Sequence, residues 1–268
     1  MKPLDYFATH PVFRLEDFTV AHQAGERLKR SSSLAIVKQH VRAGNLLHVR
    51  RGVYAIVPRG QTPDSVVVDP YVLATNLAPD AIVAYHGALQ LHGKAHSLTR
   101  RVPFLTTTKV KPCEFRGTEF VPVPVPPPLR TLPDLGGGVV VKARDGASVR
   151  VTTLERTFVD VLDAPRHGGG WEEIWRSLES VEFFDLDAVI EYAFKLASTV
   201  TVAKVGFYLE QHREALMVED EHLDRLGERA PRHPMYLERG KREPGKLLAR
   251  WNLVVPERVL SRSWAEVA

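Results

Sequence analysis

"SSSLAIVKQHVRAGNLLHVRRGVYAIVP", residues 31–58, joins two hydrophobic rhythms. In its first half Leu34, Val37 and Val41 fall at i, i+3 and i+7, one stripe of a helix. Ser31, Ser32 and Ser33 offer a hydroxyl for its N-cap, and Gly44 ends it in the C′ position. In its second half Leu46, Leu47 and Val49, then Val53, Tyr54, Ile56 and Val57, read as two short strands. Arg51-Gly52 supplies the turn between them, because glycine reaches backbone angles other residues avoid. The stretch therefore predicts a helix followed by a β-hairpin with a cationic tip. With Leu34, Val37 and Val41 turned inward, Ser32, Ser33, Ala35, Lys38, Gln39 and Arg42 face outward.

Upstream, "RLEDFTVAHQAG" (14–25) carries Leu15, Phe18, Val20 and Ala21 near helical spacing and stops at Gly25, with "ERLKR" (26–30) as the connection. A further helix over Leu4–Ala8 and a strand at Val12-Phe13 complete a unit of about 55 residues with the layout of a winged helix-turn-helix. In that layout the second helix of the pair enters the major groove of DNA. The charge agrees. Residues 1–60 hold ten Lys or Arg against four Asp or Glu, although the whole chain has a net charge of only +4. From Arg27 to Arg51 there are seven basic residues and no acid. A one-sign field on an otherwise near-neutral chain points to a polyanionic partner; a solvated basic surface, or a winged helix that only binds protein, is the alternative.

The residue types suit double-stranded DNA. Serine hydroxyls at 32 and 33 can meet phosphates or bases, Gln39 can pair with adenine, and Lys38 and Arg42 can meet guanine or phosphate. Arg50 and Arg51 at the hairpin tip would lie along the backbone or in a narrow minor groove. With His48, these make the candidate DNA-binding set Ser32, Ser33, Lys38, Gln39, Arg42, His48, Arg50 and Arg51.

"FTVAHQAGERLKRSSSLAIVKQHVRAGNLLHVRRGVYAIVP" (18–58) resembles the N-terminal winged-helix domain of the AbiEi family of antitoxins. The resemblance continues through "DPYVLATNLAPDAIVAYHGALQLHG" (69–93), "VRVTTLERTFVDVL" (149–162) and "GGGWEEIWRSLES" with "FDLDAVIEYAFKL" (168–196), and extends to "KLLARWNLVVP" (246–256). Each motif is short; their order carries the likeness. It implies a DNA-binding regulator that represses its own promoter and serves as the antitoxin of a type IV, abortive-infection toxin–antitoxin system. The toxin it implies is a nucleotidyltransferase, opposed without need of a stable complex.

The rest of the chain offers little chemistry. "RGQTPDSVVVDP" (59–70) reads as a linker, and Pro70–Leu77 and Ile82–Leu91 as helices. His86 and His92 are six apart, not the i, i+4 that places two metal ligands on one helix face, and no carboxylate falls in register beside them; both read as structural. "RVPFLTTTKV" (101–110) has strand character. The Val-Pro alternation of "FVPVPVPPPLRTLPDLGGG" (120–138) excludes a central strand, since proline lacks the ladder donor; it is expected at an edge or in an extended connector. A hairpin turns at Asp145-Gly146. Thr152-x-x-Glu155 matches a capping box opening a helix to Leu162, with Arg156 in a surface or inter-element ion pair. Trp171, Ile174, Trp175, Leu178 and Val181, then Leu186, Val189, Ile190, Ala193 and Ala197, follow helical spacing, as does "TVTVAKVGFYLEQH" (199–212). Asp185 and Asp187 form an Asp-x-Asp pair of nucleotidyltransferase type, but no Gly-Ser dipeptide accompanies it, so Asp185 is expected to cap a helix. "LERGK" (237–241) is a faint nuclease element with its lysine at the wrong offset.

The expected fold is therefore α+β: a winged helix-turn-helix at 1–60, an α+β effector domain with a small sheet and a helical cluster at 66–215, and a C-terminal extension at 216–268 packing on it. No enzyme activity and no cofactor or metal is expected. A DNA-targeted nuclease, or a plain repressor without a toxin, is the rival reading. A hydrophobic fraction of 44% and a charged fraction of 25% are ordinary for a soluble globular chain. The single cysteine, Cys113, excludes an intrachain disulfide and suits a reducing cytoplasm. No signal-peptide pattern opens the chain, and no apolar run approaches the roughly 20 residues of a membrane span.

Overall fold

The computed structural model describes residues 2–23, 30–238 and 243–265. Gly25 and most of the 26–30 connection lie outside them, as do Arg239, Gly240 and Lys241 of "LERGK". The architecture is mixed α+β. In chain order the elements are α1 (Pro3–Thr9), β1 (Val12–Arg14), α2 (Leu15–Gln23), α3 (Arg30–Arg42), β2 (Leu46–Arg50), β3 (Val53–Ile56), α4 (Pro70–Thr75), β4 (Ile82–Val83), α5 (Tyr85–Leu91), β5 (Arg101–Thr106), β6 (Cys113–Phe115) and β7 (Thr118–Pro124). There follow β8 (Val139–Arg144), β9 (Ala147–Thr152), α6 (Leu154–Asp163), α7 (Trp171–Glu179), α8 (Leu186–Lys195), α9 (Thr199–Gln211), α10 (Asp220–Gly227), β10 (Met235–Tyr236), β11 (Gly245–Leu248), β12 (Leu253–Pro256) and α11 (Glu257–Leu260). The chain forms two compact units. One comprises Met1–Val83, Arg100–Pro124 and Val141–Val151; the other Ala84–Thr99, Val125–Val140 and Thr152–Ala268.

The first unit holds two sheets. The smaller, in the order β1-β3-β2, is antiparallel, pairing Phe13 with Tyr54 and Leu46 with Ile56. Beneath it Tyr6, Phe7, Phe13, Leu15, Phe18, Val37, Leu46 and Tyr54 form one buried cluster, with Leu34, Ile36 and Val41 packed against it. Burying each large apolar side chain stabilises by about 1.5–3 kcal/mol. Phe7 lies 5.4 Å from Phe13 and 5.3 Å from Phe18, ring centre to ring centre, which adds about 0.5–1.5 kcal/mol per pair. This aromatic core fixes α1, α2 and α3 against the β2–β3 hairpin.

The larger sheet runs β6-β7-β5-β4-β9-β8. Its proline-bearing strand corrects the expectation of an edge or connector: β7 lies inside the sheet, pairing with β5 on one side and β6 on the other. The geometry explains how. Glu119 donates its N–H to the Arg100 carbonyl, so the odd-numbered amides of β7 face β5. The nitrogens of Pro122 and Pro124 then face the opposite side, where the β6 ladder has ended at Phe120. The prolines thus occupy the length of β7 that is an edge. At the other end of the sheet, Asp145 and Gly146 both take positive φ, 46° and 73°, the backbone of a two-residue hairpin turn.

Two helical expectations need correction. Residues 82–91 are not one helix: Ile82-Val83 is a strand pairing with Leu105 and Phe104, and α5 starts only at Tyr85. Two β-branched residues at a sheet centre outweigh their helical spacing. The cap of α6 is Thr153, not Thr152; the Thr153 side chain accepts from the Arg156 amide, while the Thr152 hydroxyl is buried 2.7 Å from that of Thr157.

The second unit is built on α5–α11 and the small sheet β10-β12-β11. Asp185 caps α8 by accepting from the Ala188 amide at 3.0 Å, and Ser198 caps α9 by accepting from Thr201. Within α9, Gly206 faces Trp251: a Cβ added there would lie 2.2 Å from the indole ring. Arg156, expected in a surface or inter-element ion pair, is 1% exposed. Its guanidinium donates to the carbonyls of Leu135 and Gly137 and pairs with Asp160 one helical turn on, at 3.5 Å.

Candidate nucleic-acid interface

Helix α3 presents the candidate side chains on the side away from its core stripe. Ser31, Ala35, Lys38, Gln39 and Arg42 are exposed and Ser32 is partly so. Ser33 is not among them. It is 0% exposed, and its Oγ has no hydrogen-bond partner. The reason is periodic: Ser33 precedes Val37 by four residues, and i, i+4 share a face. The expected outward role of Ser33 is corrected accordingly. Basic residues in the last turn, His40 and Arg42, complement the negative end of the helix dipole. Gly44, at φ +74°, reverses the chain into β2.

In the hairpin, Gly52 takes φ +80°, and its carbonyl accepts from the Leu15 amide at 2.8 Å, tying the turn to the start of α2. A register shift between His48 and Arg50 marks a bulge in β2, a device that re-aims side chains at a strand end. His48 is exposed with its ring 5.3 Å from Tyr54. Arg51 is exposed at the tip. Arg50 is half-buried, and its Nη1 donates to Cys113 Sγ at 3.5 Å, a weak acceptor on β6.

Several arginines elsewhere in the first unit are committed to short-range partners. Arg14 forms a two-pronged pair with Asp17 at 2.7 and 2.5 Å. Arg101 pairs with Glu119, and Arg144 with Asp69. Arg116 is spent on the carbonyls of Pro63 and Val66. Lys38, Arg42 and Arg51 pair with no carboxylate among the described residues. Their side chains are exposed and their charge is directed to solvent.

The histidines singled out in the second unit are bonded within it. His86 is buried with Nε2 3.0 Å from Glu173 Oε1 and Nδ1 3.2 Å from Gln90 Oε1. Gln90 in turn donates to the Thr99 carbonyl, which fixes its amide. Burial pushes the Glu173 carboxyl up, but hydrogen bonds from Ser97, His86 and Ser177 outweigh it and hold the group below the usual carboxylate range. His92 Nε2 lies 2.7 Å from the Thr152 carbonyl. Sequence spacing could not find Glu173, which lies 87 residues from His86. Among the described residues no cluster of three His, Cys, Asp or Glu could hold a metal ion, and no helix is long and apolar enough to cross a membrane.

Comparison with family models and with curated proteins gives no match. The fold is similar to the crystal structure of the RV2827C protein from Mycobacterium tuberculosis, with a TM-score of 0.55 at 18% sequence identity, covering 93% of this chain and 87% of that one. At that identity the likeness concerns the fold alone.

Proposed function

We propose that α2, α3 and the β2–β3 hairpin act as a winged helix-turn-helix that binds double-stranded DNA, and that the protein is a cytoplasmic transcriptional regulator acting on its own promoter. The supporting observation is the set of exposed cations Lys38, Arg42 and Arg51, gathered on α3 and the hairpin and paired with no carboxylate among the described residues, whereas Arg14, Arg101, Arg116 and Arg144 of the same unit are held by carboxylates or carbonyls. In this reading α3 is the recognition helix. Gln39 reads a base edge, Lys38 and Arg42 meet phosphate or guanine, Ser32 meets phosphate, and His48, Arg50 and Arg51 form the wing. The ordered resemblance to AbiEi antitoxins adds the second role, opposition to a nucleotidyltransferase toxin without a stable complex.

The nuclease alternative draws on Asp185, Asp187 and Glu238. Each has a structural occupation: Asp185 is the α8 cap, Asp187 pairs with Arg225, and Glu238 accepts from Trp171 Nε1 at 2.6 Å. This favours the regulator over the enzyme.

Fluorescence anisotropy of the full chain on its upstream DNA and on a scrambled duplex, across salt, tests the proposal. With about four to six phosphates neutralised, log K against log salt should slope by about −4 to −5. Arg51→Ala should flatten that slope by about 1, and Gln39→Ala should relax sequence preference by about 1–3 kcal/mol at one position. Equal, weak binding to both duplexes, unchanged by either substitution, would overturn the reading.

A further inference from the structure

A cavity of about 670 Å3 opens in the second unit between the α8–α9 junction and the segment after α10. That volume falls within the roughly 300–1,000 Å3 of small-ligand sites. Its floor is apolar, with Phe194, Val202 and Pro231, while its rim carries Arg229, Arg232 and His233 against a single carboxylate, Glu228.

These arginines differ from their neighbours. Arg176, Arg213, Arg225, Arg250, Arg258 and Arg262 each pair with a carboxylate. Arg229 and Arg232 pair with none among the described residues, although both are exposed beside the cavity. The Arg229 guanidinium carbon lies 3.9 Å from the centre of the Phe194 ring. Stacking uses the face of the guanidinium and leaves its in-plane N–H donors free, the arrangement that grips a phosphate with two parallel bonds.

We propose that this cavity binds a phosphorylated ligand with a flat apolar body, of the mononucleotide class. The arginines take the phosphate, and the Phe194, Val202 and Pro231 surface takes the base. The ring-stacked guanidinium supplies a rigid donor, and the concave apolar floor gives the phosphate-bearing molecule a second contact that a bare anion lacks. This site is separate from the DNA-binding reading and does not depend on it.

Isothermal titration calorimetry of the full chain with AMP, adenosine and inorganic phosphate tests the assignment. AMP should bind saturably, with adenosine and phosphate each at least about tenfold weaker. Arg232→Ala should weaken AMP at least about tenfold while leaving the thermal melt unchanged, since Arg232 is exposed and makes no described bond. Ala230→Trp, which fills the cavity, should abolish binding. No saturable AMP binding, adenosine binding as well as AMP, phosphate binding as well as AMP, or indifference to Arg232→Ala would each overturn it.

Discussion

Ser33 lies one turn before Val37 on the buried side of α3, and its hydroxyl finds no partner there. A buried unsatisfied hydroxyl costs about 1–3 kcal/mol. Ser33→Ala is therefore expected to leave DNA affinity unchanged and to raise the urea midpoint; a selective loss of affinity would return Ser33 to the contact set. Asp160 poses a second question of burial. Desolvation pushes its carboxyl up to about 6, against the lowering effects of Arg156 and of the Tyr192 hydroxyl that donates to it at 2.7 Å. An acid whose folded pKa exceeds its unfolded value holds its proton more tightly when folded. Its contribution to stability is thus fully present below the unfolded value of 3.8 and is lost as pH rises toward about 6. Denaturant titrations of the wild type and Asp160→Asn between those limits should differ in slope, the wild type losing more stability with rising pH. Parallel curves would mean that Arg156 holds Asp160 ionised throughout. At Gly206 the constraint is space: Gly206→Ala should cost about 1–3 kcal/mol by overpacking Trp251, measured in the same titrations.

Helix α6 shows how closely a local pattern can approach the structure and still miss it. Thr152 and Thr153 both precede the helix, and either hydroxyl could serve the first turn; the burial of Thr152 against Thr157 assigns the cap to Thr153. Thr153→Ala should accordingly cost about 0.5–2 kcal/mol of stability. Thr152→Ser, which keeps the buried hydroxyl bond, should cost less, and the reverse order would reinstate the earlier register. The same limit governs the rest. Elements with a full period of their own were legible: the α3 stripe, the β2–β3 hairpin, the Asp145-Gly146 turn and the Asp185 cap. What depended on distant partners was not. Ile82-Val83 became a strand because β5 and β9 flank it, and β7 accommodates two prolines because β6 is short. In the candidate interface the exposed Lys38, Gln39 and Arg42 followed from helical periodicity, and Arg51 from the Gly52 turn. The burial of Ser33 and the contact of Arg50 with Cys113, 63 residues away, required the fold.

The net charge of +4 conceals how the charge is used. Arg14, Arg101 and Arg144 of the first unit and Arg176, Arg213, Arg225, Arg250, Arg258 and Arg262 of the second are neutralised at short range by carboxylates, and such exposed pairs add little to stability while cancelling their own far field. Lys38, Arg42 and Arg51 project theirs outward. If the protein met DNA through overall charge, any reversal of equal size would weaken binding equally. If it binds through α3 and the hairpin, position decides. Lys38→Glu with Arg42→Glu and Arg176→Glu with Arg213→Glu change the net charge by the same amount. The first pair is expected to lower affinity for the upstream duplex by more than about a hundredfold at roughly 0.15 M salt, because it replaces contacts within a Debye length of phosphate by repulsion. The second pair removes cations already bound to Glu172 and Asp220, and is expected to stay within about threefold of the wild type. Equal losses, measured by anisotropy under identical salt, would assign the interaction to net charge and remove α3 as its recognition element.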